Sequence, residues 1–330
     1  PLALWALTIS AFAIGTTEFV IVGLIPTIAE QLSITLPSAG MLVSIYALGV
    51  AVGAPVLTAL TGKLPRKQLL MGLMVLFTAG NLVAWLAPNY ETLVIARLLT
   101  GLAHGVFFSV GSTIATSLVS KEKAASAIAI MFGGLTVALV TGVPLGTLIG
   151  QHFGWRESFL AVSLLGVIAL FSSMILVPRN IAQPPVTTLA QQARVMVSPR
   201  LLLIYAITAL GYGGVFTAFT FLAPMMQSLA WFSPSAVSVI LLGYGISVAI
   251  GNIWGGKLAD RHGAVSALTL IFAALAVLLL LFQFTASSHY MALVTVLVMG
   301  IFAFANVPGL QVYVVQKAES YAPGAVDVAS

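Results

Sequence analysis

Three side chains could move a proton through apolar surroundings: Glu18, Arg97 and His104. Glu18 and Arg97 are full charges inside long apolar stretches. At bilayer depth an unpaired charge costs about 2.5–3.5 kcal/mol or more, so each must be compensated or must do work. Glu18 precedes Pro26, near one end of its stretch, by eight residues, or about 12 Å at helical rise. Arg97 lies a similar depth into a second stretch. A direct or water-bridged Glu18–Arg97 interaction follows, with two readings. It is a structural ion pair, or it is a proton site beside an arginine that tunes it. Burial favours the neutral acid and a neighbouring cation favours the carboxylate, so a group under both responds to access and to substrate. His104 comes seven residues after Arg97, which places both on one helix face about 10 Å apart. Gly101 and Gly105 share that stripe, which is expected to face a cavity. His104 is a hydrogen-bonded structural residue or a protonation or substrate residue. His152, His262 and His289 fall in expected loops and read as solvated. There is no cysteine, which removes disulfides, thiolate catalysis and thiolate metal sites. The dispersed histidines make no metal cluster, and no GxxxxGK[ST] phosphate loop supports ATP-driven work.

The elements that position these groups follow from composition. Of 330 residues, 60% are hydrophobic and 6% charged, against about 25% charged in a soluble domain. Mean hydropathy is +1.12. A soluble enzyme, a disordered chain and a nucleic-acid-binding domain are excluded on this ground, despite a pI of 9.6. A membrane helix needs about 20 apolar residues. Charge-free runs cover 31–62, 68–90, 98–120, 124–155, 158–178, 201–256 and 262–316. The last two each hold two helices, with breaks at Pro224 to Pro234 and Thr285 to Tyr290. Ten spans result: 2–25, 38–61, 68–87, 92–118, 125–150, 158–177, 201–224, 235–256, 264–285 and 290–316. With the N-terminus in the cytoplasm, the inward turns hold Lys63, Arg66, Lys67, Lys121, Lys123, Arg179, Arg194, Arg200, Lys257, Arg261 and Lys317, or 11 of the 13 basic residues. That asymmetry sets the orientation. Trp85, Trp155 and Trp231 lie near expected interfaces and read as belt anchors.

A polar segment with Pro184-Pro185 divides the chain into an N-terminal six-helix bundle, 1–178, a cytoplasmic linker, 179–200, and a C-terminal bundle, 201–330, with room for four helices. The turns after the second and eighth spans match as GKLPRK and GKLADRHG, each following a Pro-Ser-Ala span start. The halves are therefore parallel repeats of a six-plus-six transporter. Two helices of the second half are expected beyond this chain, and the start at Pro1 leaves the true N-terminus out of view.

These motifs carry a resemblance. GKLADRHG is similar to the major facilitator signature between helices, although the first copy has Arg66 where the acidic residue usually stands. RLLTGLAHG, with Arg97, looks like the arginine motif of proton-coupled members. TGVPLGTLIG, with Gly142, Pro144, Gly146 and Gly150, is similar to the antiporter motif of exporters. GTTEFVIVGLIP and GWRESF resemble the sugar-efflux, arabinose-efflux and chloramphenicol-resistance branch of the drug:proton antiporters. The similarity covers essentially the whole chain. It implies an all-α polytopic membrane protein of the major facilitator fold, with two six-helix halves of which the last two helices are missing. It implies a proton-coupled exporter of drugs, sugars or related metabolites working by alternating access in the inner membrane of a bacterium. A proton-linked importer of sugars or small metabolites is the alternative. A non-transporting sensor or scaffold is a third, disfavoured by the repeated halves and buried charges.

In that frame Glu18, Arg97 and His104 couple protons. The glycines and Pro144 of the fifth span pack and bend a helix. Gly256, Asp260 and Arg261 latch a cytoplasmic gate. Tyr46, Phe108, Met131, Tyr212, Phe216, Phe219 and Asn306 are candidates for the substrate cavity. The spacing of Tyr212, Phe216 and Phe219 fits helix packing equally well. The expected partners are a small-molecule substrate and the lipid bilayer, with no nucleic acid. The expected protein is monomeric and not an enzyme, and it needs no cofactor beyond protons as coupling ion.

Overall fold

The computed structural model describes residues 2–120, 124–181, 197, 199–310 and 313. The expected linker falls largely outside them, as do Lys121, Lys123, Arg194 and Lys317 and the end of the expected tenth span. Two compact units divide the chain, Pro1–Thr188 and Leu189–Ser330.

In the first unit the helices are α1 (Leu2–Gln31), α2 (Leu36–Val52), α3 (Thr58–Thr61), α4 (Arg66–Leu86), α5 (Tyr90–Ser117), α6 (Ala124–Val137), α7 (Val143–Phe153) and α8 (Trp155–Leu176). Wide π turns link α2 to α3 (Gly53–Leu57) and α6 to α7 (Ala138–Gly142). The second unit holds α9 (Pro199–Thr220), α10 (Leu222–Ser228), α11 (Pro234–His262), α12 (Ala264–Thr285) and α13 (His289–Ala303). Among the described residues, nine helical stretches are long and apolar enough to cross a membrane, and Leu36–Val52 is a shorter apolar helix.

Local chemistry sets the boundaries. Thr35 caps α2 by accepting from the Ser38 amide at 3.2 Å, and Asn89 caps α5 by accepting from the Thr92 amide at 3.0 Å. Gly154 (φ 105°) and Gly263 (φ 81°) turn the chain between consecutive helices in a region that disfavours other residues. Pro144 has no amide hydrogen to offer Val140, and the preceding turn widens. The Val143 amide reaches back to the Ala138 carbonyl. Two expected span ends move outward. Pro26 sits inside α1 without ending it, and GKLADRH forms the last turns of α11 rather than a loop.

Packing in the first unit is set by small residues, because apolar area alone cannot hold helices together in lipid. A methyl group built on Gly142, Gly146 or Gly150 would overlap Thr16, Val20 and Leu24 respectively. From the other side, one on Gly15 would lie 2.8 Å from Leu135 Cδ2, and one on Gly23 would lie 2.8 Å from Thr147 Cγ2. The fifth-span glycines therefore seat α6 and α7 on α1. Helices α4 and α8 run antiparallel and each caps the other. Lys67, at the start of α4, donates from Nζ to the Met174 and Val177 carbonyls, the first at 2.7 Å. Arg156, at the start of α8, donates from Nε (3.0 Å) and Nη2 (2.7 Å) to the Ala87 carbonyl. Cations thus meet carbonyl ends at both ends of the pair.

In the second unit α11 and α13 approach closely. Methyl groups on Gly251 and Gly255 would run into the Ile301 and Ala305 carbonyls.

Candidate functional site

Four side chains of the first unit form one connected group: Glu18 on α1, Tyr46 on α2, and Arg97 and His104 on α5. The α2–α5 interface brings them together. Methyl groups on Gly101 and Gly105 would strike the Tyr46 and Val50 carbonyls, and one on Gly49 would lie 2.6 Å from the Leu98 carbonyl. The glycine stripe of α5 thus faces α2 and not a cavity. It lets the two backbones close up until Tyr46 reaches His104.

Arg97 is 1% exposed. Its Nη1 donates to the Thr17 carbonyl at 2.7 Å and its Nε to the Leu42 carbonyl at 3.3 Å. Its Cζ lies 4.2 Å from the centre of the Tyr46 ring. Main-chain oxygens of α1 and α2, with an aromatic face, compensate the guanidinium. Of the direct or water-bridged interaction expected with Glu18, the direct ion pair is not formed. Among the described residues, the only ion-pair distance within 4.0 Å is 3.7 Å, from Glu18 Oε2 to His104 Nδ1. Arg97 still lies close enough for its field to act on the carboxyl. The reason is geometric: the Thr17 carbonyl on α1 and the Leu42 carbonyl on α2 hold the guanidinium through Nη1 and Nε, leaving Nη2 buried without a hydrogen-bond partner among the described residues, and the carboxylate lies nearer His104.

His104 Nδ1 also lies 2.8 Å from the Tyr46 hydroxyl. One ring nitrogen therefore has two oxygens to choose between. When Nδ1 carries no hydrogen it accepts from Tyr46. When it carries one, it donates to Tyr46 or to Glu18. A move of the proton between Glu18 and His104 needs the 3.7 Å gap to close to the roughly 2.8 Å of a charge-assisted hydrogen bond. The Glu18 side chain is 20% exposed and that of His104 13%, so the pair is only partly enclosed by the first unit.

The remaining candidates fall in varied places. Tyr46, expected as cavity lining, is buried as the partner of His104. Phe108 is half-buried, with its ring centre 5.0 Å from that of His104 and 4.8 Å from that of Phe132. Met131 is fully buried in the core among Leu7, Phe107 and Val110, so it lines no surface. In the second unit, Tyr212, Phe216 and Phe219 form a ladder of rings at 5.2 and 5.8 Å. Phe219 stacks on Tyr244 at 5.1 Å, and Tyr212 meets Phe304 edge-on at 5.4 Å. Asn306 is buried and donates to the Ala303 carbonyl at 2.9 Å. Gly256 lies inside α11, and Asp260 and Arg261 are exposed on its last turn without an ion pair among the described residues. The other histidines sit at helix ends, not in loops. His289 stacks on Phe232 at 3.8 Å and bonds the Ala230 carbonyl. Trp155 is fully buried against Phe159 and is no belt anchor, whereas Trp231 is 79% exposed.

Sequence reasoning passed over Thr17 and Asn81. The Thr17 hydroxyl donates to Asn81 Oδ1 across α1 and α4 at 2.7 Å. The signal was present, since an asparagine in the middle of an apolar span needs a partner.

A family model described as Major Facilitator Superfamily matches residues 7–326. The chain is 52% identical over 328 residues to the uncharacterized MFS-type transporter YtbD of Bacillus subtilis, covering 99% of this chain and 83% of that one. It is 36% identical over 267 residues to a chloramphenicol resistance protein of Streptomyces lividans, covering 80% and 68%. Its fold is similar to that of a bacterial homolog of the human lysosomal transporter Spinster in an inward-facing, occupied conformation. The TM-score is 0.73 at 17% identity, covering 99% of this chain and 77% of that one.

Proposed function

The chain belongs to the Major Facilitator Superfamily, a family of multi-pass membrane transporters of small molecules, and from that premise we propose that it is a proton-coupled exporter. Protons are the coupling ion and Glu18 is the group that carries them. The cargo is a drug, a sugar or a related metabolite. The protein works by alternating access in the cytoplasmic membrane of a bacterium, as a monomer with its N-terminus inside.

One observation carries this reading: a partly exposed carboxylate in an apolar helix with a titratable partner at 3.7 Å and, among the described residues, no lysine or arginine in ion-pair contact. A permanent ion pair would hold the charge on Glu18 throughout the cycle. A histidine that is also bonded to Tyr46 lets the carboxyl gain and lose its proton. Arg97, anchored on the Thr17 and Leu42 carbonyls, biases that exchange through its field without trapping the carboxylate.

Export is supported by the glycine–proline packing of α6 and α7 on α1, the helix that bears Glu18. It is supported as well by the likeness to a chloramphenicol resistance protein, which makes chloramphenicol the first cargo to try. Asp260 and Arg261, exposed at the end of α11, act in this proposal as a cytoplasmic latch.

The test is chloramphenicol efflux driven by a pH gradient in proteoliposomes. Glu18→Gln keeps the shape of the side chain and loses its titration, so coupled efflux is lost while the protein stays folded. Unchanged coupled efflux in that variant would overturn the assignment.

A further inference from the structure

We infer that Asn81 is a positioning residue for the coupling carboxylate: through Thr17 it holds the turn of α1 that presents Glu18 to His104. The inference rests on the coupling role proposed for Glu18.

Asn81 lies in α4 and is 1% exposed. Its Nδ2 donates to the Phe77 carbonyl at 2.9 Å, which fixes the amide so that Oδ1 points across to α1. There it accepts from the Thr17 hydroxyl at 2.7 Å. Thr17 has a cheaper option on its own helix. Thr8, Ser10 and Thr16 all donate to the carbonyl four residues back. Thr17 reaches across instead. Its carbonyl is held at the same time by Arg97 Nη1 at 2.7 Å. The residue before Glu18 is therefore gripped from two helices, hydroxyl on α4 and carbonyl on α5.

This grip acts where small displacements count. Glu18 and His104 stand 3.7 Å apart, and a shift of a few tenths of an ångström decides whether they share a hydrogen bond. The groups facing Glu18 are Tyr46 from α2 and Arg97 and His104 from α5. On the elements packed against α1, the other charged or titratable groups stand at helix ends: Arg66 and Lys67 on α4, Tyr90 and Glu91 on α5, His152 on α7, and Arg156 and Glu157 on α8. At this depth α1 is thus held by hydrogen bonds from Arg97 and from Asn81, beside the close packing of Thr16 and Val20 on Gly142 and Gly146. An apolar replacement leaves one buried polar group without its partner, so the bond is not idle.

The test reads Glu18 directly and needs no solute. Infrared difference spectra of the full chain in liposomes, recorded against pH, isolate the carboxyl band that is present in the wild type and absent in Glu18→Gln. Asn81→Ala and Thr17→Val each move the midpoint of that band by about half a pH unit or more, an approximately threefold change in proton affinity. They move it in the same direction, the double variant moves it no further than either single one, and Thr17→Ser restores it. If Asn81→Ala does not fold, the isosteric Thr17→Val breaks the same bond from the other side. A midpoint that stays put while thermal stability falls would overturn the inference and leave Asn81 a packing residue. A wild type with no titrating band assignable to Glu18 would instead defeat the coupling role itself, and the positioning role with it.

Discussion

Replacing Gly101 by alanine tests the geometry that assembles the site. The new methyl would meet only backbone: the Tyr46 carbonyl oxygen, with Tyr46 C at 3.1 Å and Gly49 Cα at 3.2 Å. No flexible side chain can swing aside, so α2 must retreat from α5. The Tyr46 hydroxyl then leaves the 2.8 Å bond to His104 Nδ1. Overpacking costs about 1–3 kcal/mol, and an interhelical hydrogen bond within a membrane is worth about 0.6 kcal/mol. Against this, alanine gains about 1 kcal/mol of helix propensity over glycine. The net is a loss of about 0.6–2.6 kcal/mol, a folded-to-unfolded ratio lowered about 3- to 80-fold. The control is Gly72→Ala on α4, where nothing lies within 4 Å of the new methyl. That variant is as stable as the parent or more so, by up to about 1 kcal/mol. The assay is equilibrium unfolding in mixed micelles, read together with the ¹⁵N shift of His104 Nδ1. A Gly101→Ala protein of parental stability with an unchanged Nδ1 signal would refute the account of the interface.

Lys67→Met and Arg156→Met each remove a cation from a helix carboxyl end and cost about 0.3–2 kcal/mol. Unfolding should show the two costs adding, since α4 with its 21 residues separates the sites by about 30 Å. Tyr46→Phe keeps the ring beneath Arg97 but takes away the hydroxyl that faces Nδ1. The ¹⁵N shifts of neutral His104 should then lose their preference for the tautomer with hydrogen on Nε2. Gly146→Leu drives a large side chain into Val20 and should separate α7 from α1. The expected outcome is a loss of thermal stability, which Gly133→Leu, with nothing within 4 Å, does not share.

Much of this protein is legible along the chain. Stretches of about 20 apolar residues with so few charges have only one stable form in lipid, because every backbone group must be satisfied within its own helix. Glu18 and Arg97 declare themselves by their cost in such stretches, and the glycines of the fifth span announce a close helix contact, which α1 supplies. Two kinds of fact are absent from the line of residues. The first is which way a helix is turned. The membrane side and the core side of a span are both apolar, so hydropathy has no periodicity to read, and Met131 and Trp155 prove buried where a cavity and an interface were expected. The second is which polar groups meet. Rise along a helix places Glu18, Arg97 and His104 at depth to within about a turn, or 5.4 Å, but a hydrogen bond is decided within a few tenths of an ångström. Helix rotation and the glycine-bounded approach of α2 to α5 settled that Glu18 faces His104, that main-chain carbonyls hold Arg97, and that Asn81 reaches Thr17.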